Sequence, residues 1–413
     1  MERRELARLL GAGSAGDSAP RTFLAENDPA RFAEAFAHAA AGRGEVFLCN
    51  PAWGPREWAQ VEQLRALPPR SDDGERGWLM IPTGGSSGAV KFARHDSHTI
   101  AAAVTGFAQH FGVPRVHALG TLPLHHVSGL MAWLRSVLTG GTHVSAAWKE
   151  IESGARPELP PRPEGWLTSV VPTQLERLLR DPAAVAWLRG LRVIFLGGAA
   201  ASTDLLARAA AARLPLAPSY GMTETAAMVT ALRPEEFLAG VRGSGAALPH
   251  AQLELGAEGE VRIRSAANFL GYYPEWREAG EWFTTADAGA VDATGHWRIL
   301  GRRDAIIITG GEKVQPAEVE AVLHAATGAT ELAVVGVPDA EWGERVVAVF
   351  PAAQTPDLAA ARAAHAQLPP PQRPKDYVAL PEWPRNAVGK LNRARLAQLA
   401  GALLRAGAGP SAG

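Results

Sequence analysis

Trp78-Leu-Met-Ile-Pro-Thr-Gly-Gly-Ser-Ser-Gly-Ala-Val-Lys91 joins a short apolar run to a loop of three glycines (Gly84, Gly85, Gly88), three hydroxyls (Thr83, Ser86, Ser87) and a closing lysine. That composition suits phosphate. Glycines let backbone N–H groups turn toward an anion, hydroxyls add donors, and Lys91 supplies charge. A Walker loop ends in Gly-Lys-Ser/Thr, whereas Gly88 is followed here by Ala89, Val90 and Lys91. Residues 90–94 read as a strand, so the expectation is a hairpin that carries phosphate on its turn. By itself the loop fits a Gly/Ser surface turn as well. Its surroundings decide between the two.

C-terminal to the loop, Ser97 is read as the N-cap of a helix whose apolar face is Ile100, Val104, Phe107, Ala108 and Phe111. An alternation then begins. Strands are expected at 116–122, 142–146, 167–171, 191–196 and 216–218, and helices at 127–138, 172–180 and 202–213. Strand and helix in turn, with strands rich in Val, Leu and Ile, predict a largely parallel sheet covered by helices. Ligands on such sheets bind beyond the carboxyl ends of the strands. The residues with chemistry fall there: His125 and His126, then Gly197, Gly198 and Ala199, then Ser219 to Thr225.

From about residue 240 the pattern changes to short alternating strands, at 252–255, 260–264 and 296–300, which predicts a small β-rich subdomain. Gly301-Arg-Arg-Asp304 forms a polar junction. Beyond it a compact α+β unit is expected, with strands at 305–308, 332–337 and 346–350 and helices at 316–326 and 391–404. This divides the chain into domains 1–303 and 304–413. Residues 1–77 yield helices at 30–41 and 55–67 and no chemistry.

Composition narrows the function. The 413 residues exceed one ordinary core. Basic and acidic residues, 41 and 42, leave a net charge of -1, so electrostatics give no case for nucleic acid or an anionic membrane. A single cysteine, Cys49, makes neither an internal disulfide nor a thiolate cluster. With no signal-like N-terminus and no apolar run of membrane-spanning length, the expectation is a soluble cytoplasmic protein.

Six segments carry a resemblance. Thr83-Gly-Gly-Ser-Ser-Gly-Ala-Val-Lys91, Tyr220-Gly-Met-Thr-Glu-Thr225, Thr285-Ala-Asp287, Gly301-Arg-Arg-Asp304, Thr309-Gly-Gly-Glu-Lys-Val-Gln-Pro-Ala-Glu-Val-Glu320 and Pro384-Arg-Asn-Ala-Val-Gly-Lys390 resemble, in order, the motif set of the adenylate-forming superfamily of acyl-CoA synthetases. The resemblance implies an α/β fold. Its large N-terminal domain would hold parallel sheets covered by helices plus a small β-rich subdomain, followed by a small mobile α+β C-terminal domain. It implies ATP, Mg2+ and coenzyme A as co-substrates and cofactors, and a small-molecule carboxylate as partner.

The implied roles fit elementary chemistry, because activating a carboxylate with ATP needs cations and oriented donors at the phosphates. Thr83, Gly84, Gly85, Ser86, Ser87, Gly88 and Lys91 would hold the β- and γ-phosphates. Thr223 would contact the α-phosphate, and Glu224 would ligate magnesium, a hard cation that takes carboxylate oxygen. Gly198, Ser219, Tyr220 and Gly221 would line the nucleotide site, with Tyr220 on the adenine face. Asp287 would accept from the ribose hydroxyls beside Arg302. Lys390 would neutralise charge between carboxylate and α-phosphate. Asp304 would be the hinge about which the small domain swings, opening a pantetheine tunnel near Gly310 and Gly311.

Leu122-Pro-Leu-His-His-Val-Ser-Gly-Leu-Met-Ala-Trp-Leu-Arg-Ser-Val-Leu138 is most similar to the o-succinylbenzoate:CoA ligases of menaquinone synthesis. In that pattern His126, Gly129 and Arg135 belong to the acid pocket, with Gly197 and Gly198 as a nearby wall and His126 also a catalytic candidate. The chain departs from the family in the short segment before the phosphate loop and in Ala89, where a charged or polar residue is common. The resemblance leaves room for a homodimer. It also leaves open another aryl- or acyl-CoA ligase, a stand-alone adenylating enzyme, and a non-catalytic nucleotide sensor of the same fold.

Overall fold

Four sheets, each made of consecutive strands, organise the chain. The computed structural model describes residues 1–12, 20–67, 74–84, 90–329, 331–385 and 391–407. The first sheet runs β1 (Arg21–Leu24), β2 (Glu45–Leu48), β3 (Leu79–Gly84) and β4 (Val90–His95). Its first three strands are parallel, and β4 returns antiparallel to β3 with Gly84 opposite Val90. The expected hairpin pairing is therefore present, and residues 85–89, to which the phosphate role is assigned, lie outside the described residues. Strands β1 and β2 were not legible in the sequence. Each is four residues long, and β2 is buried throughout, so neither shows the alternation that marks a half-buried strand.

Helices α1 (Arg3–Leu9), α2 (Pro29–Ala41) and α3 (Pro55–Arg65) accompany this sheet. An aromatic cluster ties it to the next layer: Phe36 lies 6.0 Å from Trp78 and 5.4 Å from Trp133, the latter on α5 (Val127–Leu138). Arg3, the first residue of α1, is buried, with its guanidinium 4.3 Å over the Trp78 ring. It donates to the carbonyls of Ala39, Ala40, Gly44 and Gly74 at 2.7–3.0 Å. A buried charge is tolerable only when its donors are met, and these carbonyls meet them.

Between the sheets runs α4 (Ser97–Phe111). Its N-cap is Asp96 rather than Ser97. The Asp96 carboxylate accepts from the amides of His98 and Thr99, both at 3.0 Å, and Ser97 is the first helical residue. Of the expected apolar face, Ile100, Val104, Phe107 and Phe111 are buried.

The second sheet has seven strands in the order β11-β10-β9-β8-β7-β5-β6. They are β5 (His117–Gly120), β6 (His143–Ser145), β7 (Trp166–Val170), β8 (Val193–Leu196), β9 (Leu216–Met222), β10 (Ala227–Ala231) and β11 (Ala246–Ala247). Strands β5 to β9 pair parallel, as the alternation predicts, while β10 and β11 close the edge antiparallel. The third sheet, β12 (Ala251–Leu255), β13 (Glu260–Ser265), β14 (Phe283–Val291) and β15 (Trp297–Arg302), is the antiparallel β-rich subdomain.

The small C-terminal domain holds β16 (Ile307–Thr309), β17 (Glu312–Val314), β18 (Ala333–Asp339), β19 (Gly343–Pro351) and β20 (Asp376–Leu380), packed with helices Pro316–Thr327 and Arg393–Gly407. The fold is thus α/β with a large N-terminal and a small α+β C-terminal domain. Among the described residues no helix is long and apolar enough to cross a membrane. Arg3→Leu should destabilise the N-terminal region by about 3 kcal/mol or more, because four carbonyls lose a charged donor. Urea unfolding followed by tryptophan fluorescence measures it.

Candidate active site

The site is built where β9 turns back as β10. Strand β9 continues four residues past the expected end, so Ser219, Tyr220 and Gly221 lie within it, and Thr223–Thr225 forms a single 3-10 turn. The hairpin is tight. A Cβ on Gly221 would sit 2.0 Å from the carbonyl oxygen of Ala227, so only glycine fits. Ala226 and Ala227, at φ 49° and 88°, occupy left-handed backbone that alanine disfavours. Side-chain and main-chain bonds hold the turn: the Thr225 hydroxyl accepts from the Met222 amide at 3.1 Å and lies 2.7 Å from the Ala227 carbonyl, and the Phe269 amide donates to the Glu224 carbonyl at 2.7 Å.

Glu224 is the centre of this arrangement. Its carboxylate is buried, and Oε1 accepts from the Thr83 hydroxyl at 3.1 Å and the Tyr272 hydroxyl at 2.7 Å. Oε2 has no hydrogen-bond partner among the described residues, so one oxygen is anchored and the other is available to a cation. Burial and the Glu224 charge push the Tyr272 phenol above its usual range, which keeps it a donor. Lys91 lies with its ammonium 5.4 Å over the Tyr272 ring. Among the described residues no group of three or more His, Cys, Asp or Glu could cage a metal. A single anchored carboxylate suits magnesium that takes its other oxygens from phosphate and water.

On the opposite side Tyr220 donates to Asp287 Oδ2 at 2.7 Å, and burial with the nearby carboxylate raises its phenol. Asp287 on β14 faces Arg302 on β15 in the same register, with Arg302 Nε 4.0 Å from Oδ1. Gly197 and Gly198 follow β8; a Cβ on Gly197 would come 3.1 Å from the Ser219 hydroxyl. The structure therefore brings Thr83, Glu224 and Lys91 together, and Tyr220, Asp287 and Arg302 together.

His126 precedes α5, its ring 4.5 Å from that of His125. His125 is buried, its Nε2 lacks a partner among the described residues, and burial lowers its pKa to about 3. Packing requires a glycine at 129, since a Cβ would meet the Pro123 carbonyl oxygen at 2.2 Å. Arg135, on the same helix, is 3% exposed, and its guanidinium lies 4.1 Å over the Phe107 ring. Its Nε and Nη2 have no hydrogen-bond partner among the described residues.

Gly310 and Gly311 form the two-residue turn between β16 and β17, both at positive φ. Asp304 sits in the 3-10 turn Arg303–Ala305 that joins the third and fourth sheets. Gly85, Ser86, Ser87, Gly88 and Lys390 lie outside the described residues. Sequence reasoning missed Tyr272 and His95. Tyr272 stands in an unremarked Gly-Tyr-Tyr run. His95 contacts Thr223, 128 residues away, and nothing in its local pattern signals that.

The family model described as AMP-binding enzyme matches residues 13–273, and that described as AMP-binding enzyme C-terminal domain matches 318–390. The 2-succinylbenzoate–CoA ligase of Listeria monocytogenes is 33% identical over 292 residues, covering 67% of this chain and 60% of its own length. The chain thus spans 60% of the length of that relative. The indoleacetate–CoA ligase of Aromatoleum aromaticum is 30% identical over 376 residues, 84% of this chain and 72% of that one. In overall structure the chain is similar to the o-succinylbenzoate CoA synthetase of Bacillus subtilis in complex with the acyl-adenylate intermediate OSB-AMP. That comparison gives a TM-score of 0.74 at 23% identity, over 95% of this chain and 91% of that one.

Tyr272→Phe removes a hydrogen bond to a buried carboxylate and should lower stability by about 1.5–3 kcal/mol. Thermal unfolding of the variant beside Thr83→Val checks it, the Thr83 change being the smaller because its bond is longer.

Proposed function

The chain belongs to the family of AMP-binding enzymes, and on that premise we propose that it ligates o-succinylbenzoate to coenzyme A through an acyl-adenylate, using ATP and magnesium. Arg135 carries this reading. A buried guanidinium with two donor atoms unmet is unfavourable in the free protein, and a carboxylate brought by the substrate satisfies it. An acid with one carboxylate commits that group to the phosphate end and leaves Arg135 orphaned. A dicarboxylate serves both ends. The 2-succinylbenzoate–CoA ligases among the relatives support the same choice.

The first step forms a bond between a substrate carboxylate oxygen and the α-phosphorus of ATP, and pyrophosphate leaves. In this reading the hairpin from Thr83 to Lys91 holds the outgoing phosphates. Thr223 meets the α-phosphate, Tyr220 and Gly198 flank adenine, and Asp287 with Arg302 takes the ribose. Glu224 would hold magnesium, whose charge would offset that of the phosphates. His126 and Gly129 border the acid, and Lys390 reaches in from the small domain. In the second step the coenzyme A thiol attacks the acyl carbon and AMP leaves. For that step the small domain, 304–413, turns about Asp304 against the large domain, 1–303, and presents Gly310 and Gly311 to pantetheine. A single free buried cysteine suits a reducing cytoplasm.

Two measurements test the reading. Pyrophosphate release over o-succinylbenzoate, benzoate, indoleacetate and 4-coumarate, with and without coenzyme A, should be strongest for o-succinylbenzoate and yield its thioester. Arg135→Met should raise KM for that acid roughly 30- to 150-fold, the loss of about 2–3 kcal/mol of charged hydrogen bonding, with KM for ATP little changed. Preference for a monocarboxylate would remove the dicarboxylate assignment and keep the chemistry.

Lys390→Ala should abolish adenylation and spare thioester formation from supplied acyl-adenylate, while Asp304→Pro should do the reverse. Equal losses in both half-reactions would refute the two-conformation scheme.

A further inference from the structure

His95 ends β4, the strand that closes the phosphate hairpin, and it is fully buried. Its Nε2 lies 2.8 Å from the carbonyl oxygen of Thr223, and its Nδ1 lies 3.1 Å from the Thr99 hydroxyl. Thr99 is itself fixed at the start of α4, where its hydroxyl meets the Asp96 amide at 3.1 Å. Burial lowers the His95 pKa to about 4, so the ring is neutral under ordinary conditions. A neutral imidazole has one donor and one acceptor, and a carbonyl only accepts. The hydrogen therefore sits on Nε2, and Nδ1 is left as an acceptor that shares the one hydrogen of the Thr99 hydroxyl with the Asp96 carbonyl, 2.9 Å from that hydroxyl.

The bond matters because of what it reaches. The Thr223 carbonyl opens the 3-10 turn that carries Glu224, and the turn ends in two alanines with positive φ. Such backbone persists only where its surroundings over-determine it. Thr225 and Phe269 hold the turn from its far side and from Glu224. His95 holds its start, from the element that also carries the phosphate hairpin.

We propose that His95 is a positioning residue of the nucleotide site, holding the Thr223 carbonyl so that the Thr223 hydroxyl and the Glu224 carboxylate stand in register with the phosphate hairpin. It touches neither substrate nor metal. The proposal rests on the ligase reading above for its activity readout, and on nucleotide binding for an independent one.

The test compares His95→Leu, which removes the donor, with His95→Gln, whose amide N–H can reach the same carbonyl. His95→Leu should lower kcat/KM for pyrophosphate release by about 10- to 100-fold through misplacement of the turn. Thioester formation from supplied acyl-adenylate should stay within about 2-fold, because that step needs no triphosphate geometry. His95→Gln should recover most of the loss.

A folded Leu variant with wild-type adenylation overturns the proposal. So do equal losses in both half-reactions with Gln no better than Leu. If the Leu variant does not fold, His95→Asn replaces it, its amide being too short to reach. A wild-type protein that releases no pyrophosphate with any acid removes the ligase reading. Calorimetric affinity for ATP with magnesium then still reads His95: weaker in Leu and kept in Gln supports it, and equal affinities overturn it.

Discussion

The candidate site depends on one anchored carboxylate. Glu224 is buried at the meeting point of β3, the β9–β10 turn and the segment that carries Tyr272, and it draws a donor from two of them. A carboxylate in such a place is tolerable only if those donors arrive, so its requirement fixes how the layers dock. The backbone reinforces the same docking. Arg94 donates to the Gly271 carbonyl, Leu270 to the Arg94 carbonyl and Tyr273 to the Phe92 carbonyl, which ties the Tyr272 segment to β4 through an isolated bridge at Ala93. The hydrogen-bond edge that β4 leaves exposed is thereby satisfied, and the Tyr272 hydroxyl is delivered to Glu224 in the same act.

Rigid supports of this kind explain why a turn with strained alanines can persist. The local conformation of Ala226 and Ala227 is unfavourable, of order 1–3 kcal/mol for each such residue. Each compensating bond contributes about 1 kcal/mol net. Several are therefore needed, and they come from β4, from the Phe269 segment and from Thr225 itself. Gly221 completes the set, since any side chain there would push the two hairpin strands apart. The turn is held tightly because elements distant in sequence agree on its place.

The legibility of the fold follows from the same division between local and distant causes. The alternation from residue 116 to 218 is local, because its strands and longer amphipathic helices declare themselves within a dozen residues, and the parallel sheet followed; the short helices Trp148–Glu152 and Pro182–Arg189 were not read. Motif order along the chain pointed to Thr83, Glu224, Tyr220 and Asp287, which the fold gathers into two groups. Four-residue β1 and β2 carry too few residues to show a period. Ser97 and Asp96 are adjacent residues of equal capping ability, and only the geometry of the amides distinguishes them. His95 and Tyr272 act through residues 128 and 48 positions away. No pattern of spacing reports a contact of that range.

The surroundings of Arg135 show how neighbouring charge states are kept distinct. Arg135 is buried against the Phe107 ring, whose electron-rich face eases the burial of a guanidinium. His250 lies nearby, admitted because residue 106 is glycine; a Cβ there would stand 2.0 Å from its Nδ1. Burial, followed by repulsion from Arg135, lowers the His250 pKa to about 4. The imidazole is thus neutral at working pH, and the region presents one positive charge rather than two. That charge keeps two donor atoms unmet among the described residues, and a buried cation left unpaired forfeits far more than a missing apolar contact, so Arg135 is the most demanding group of this layer.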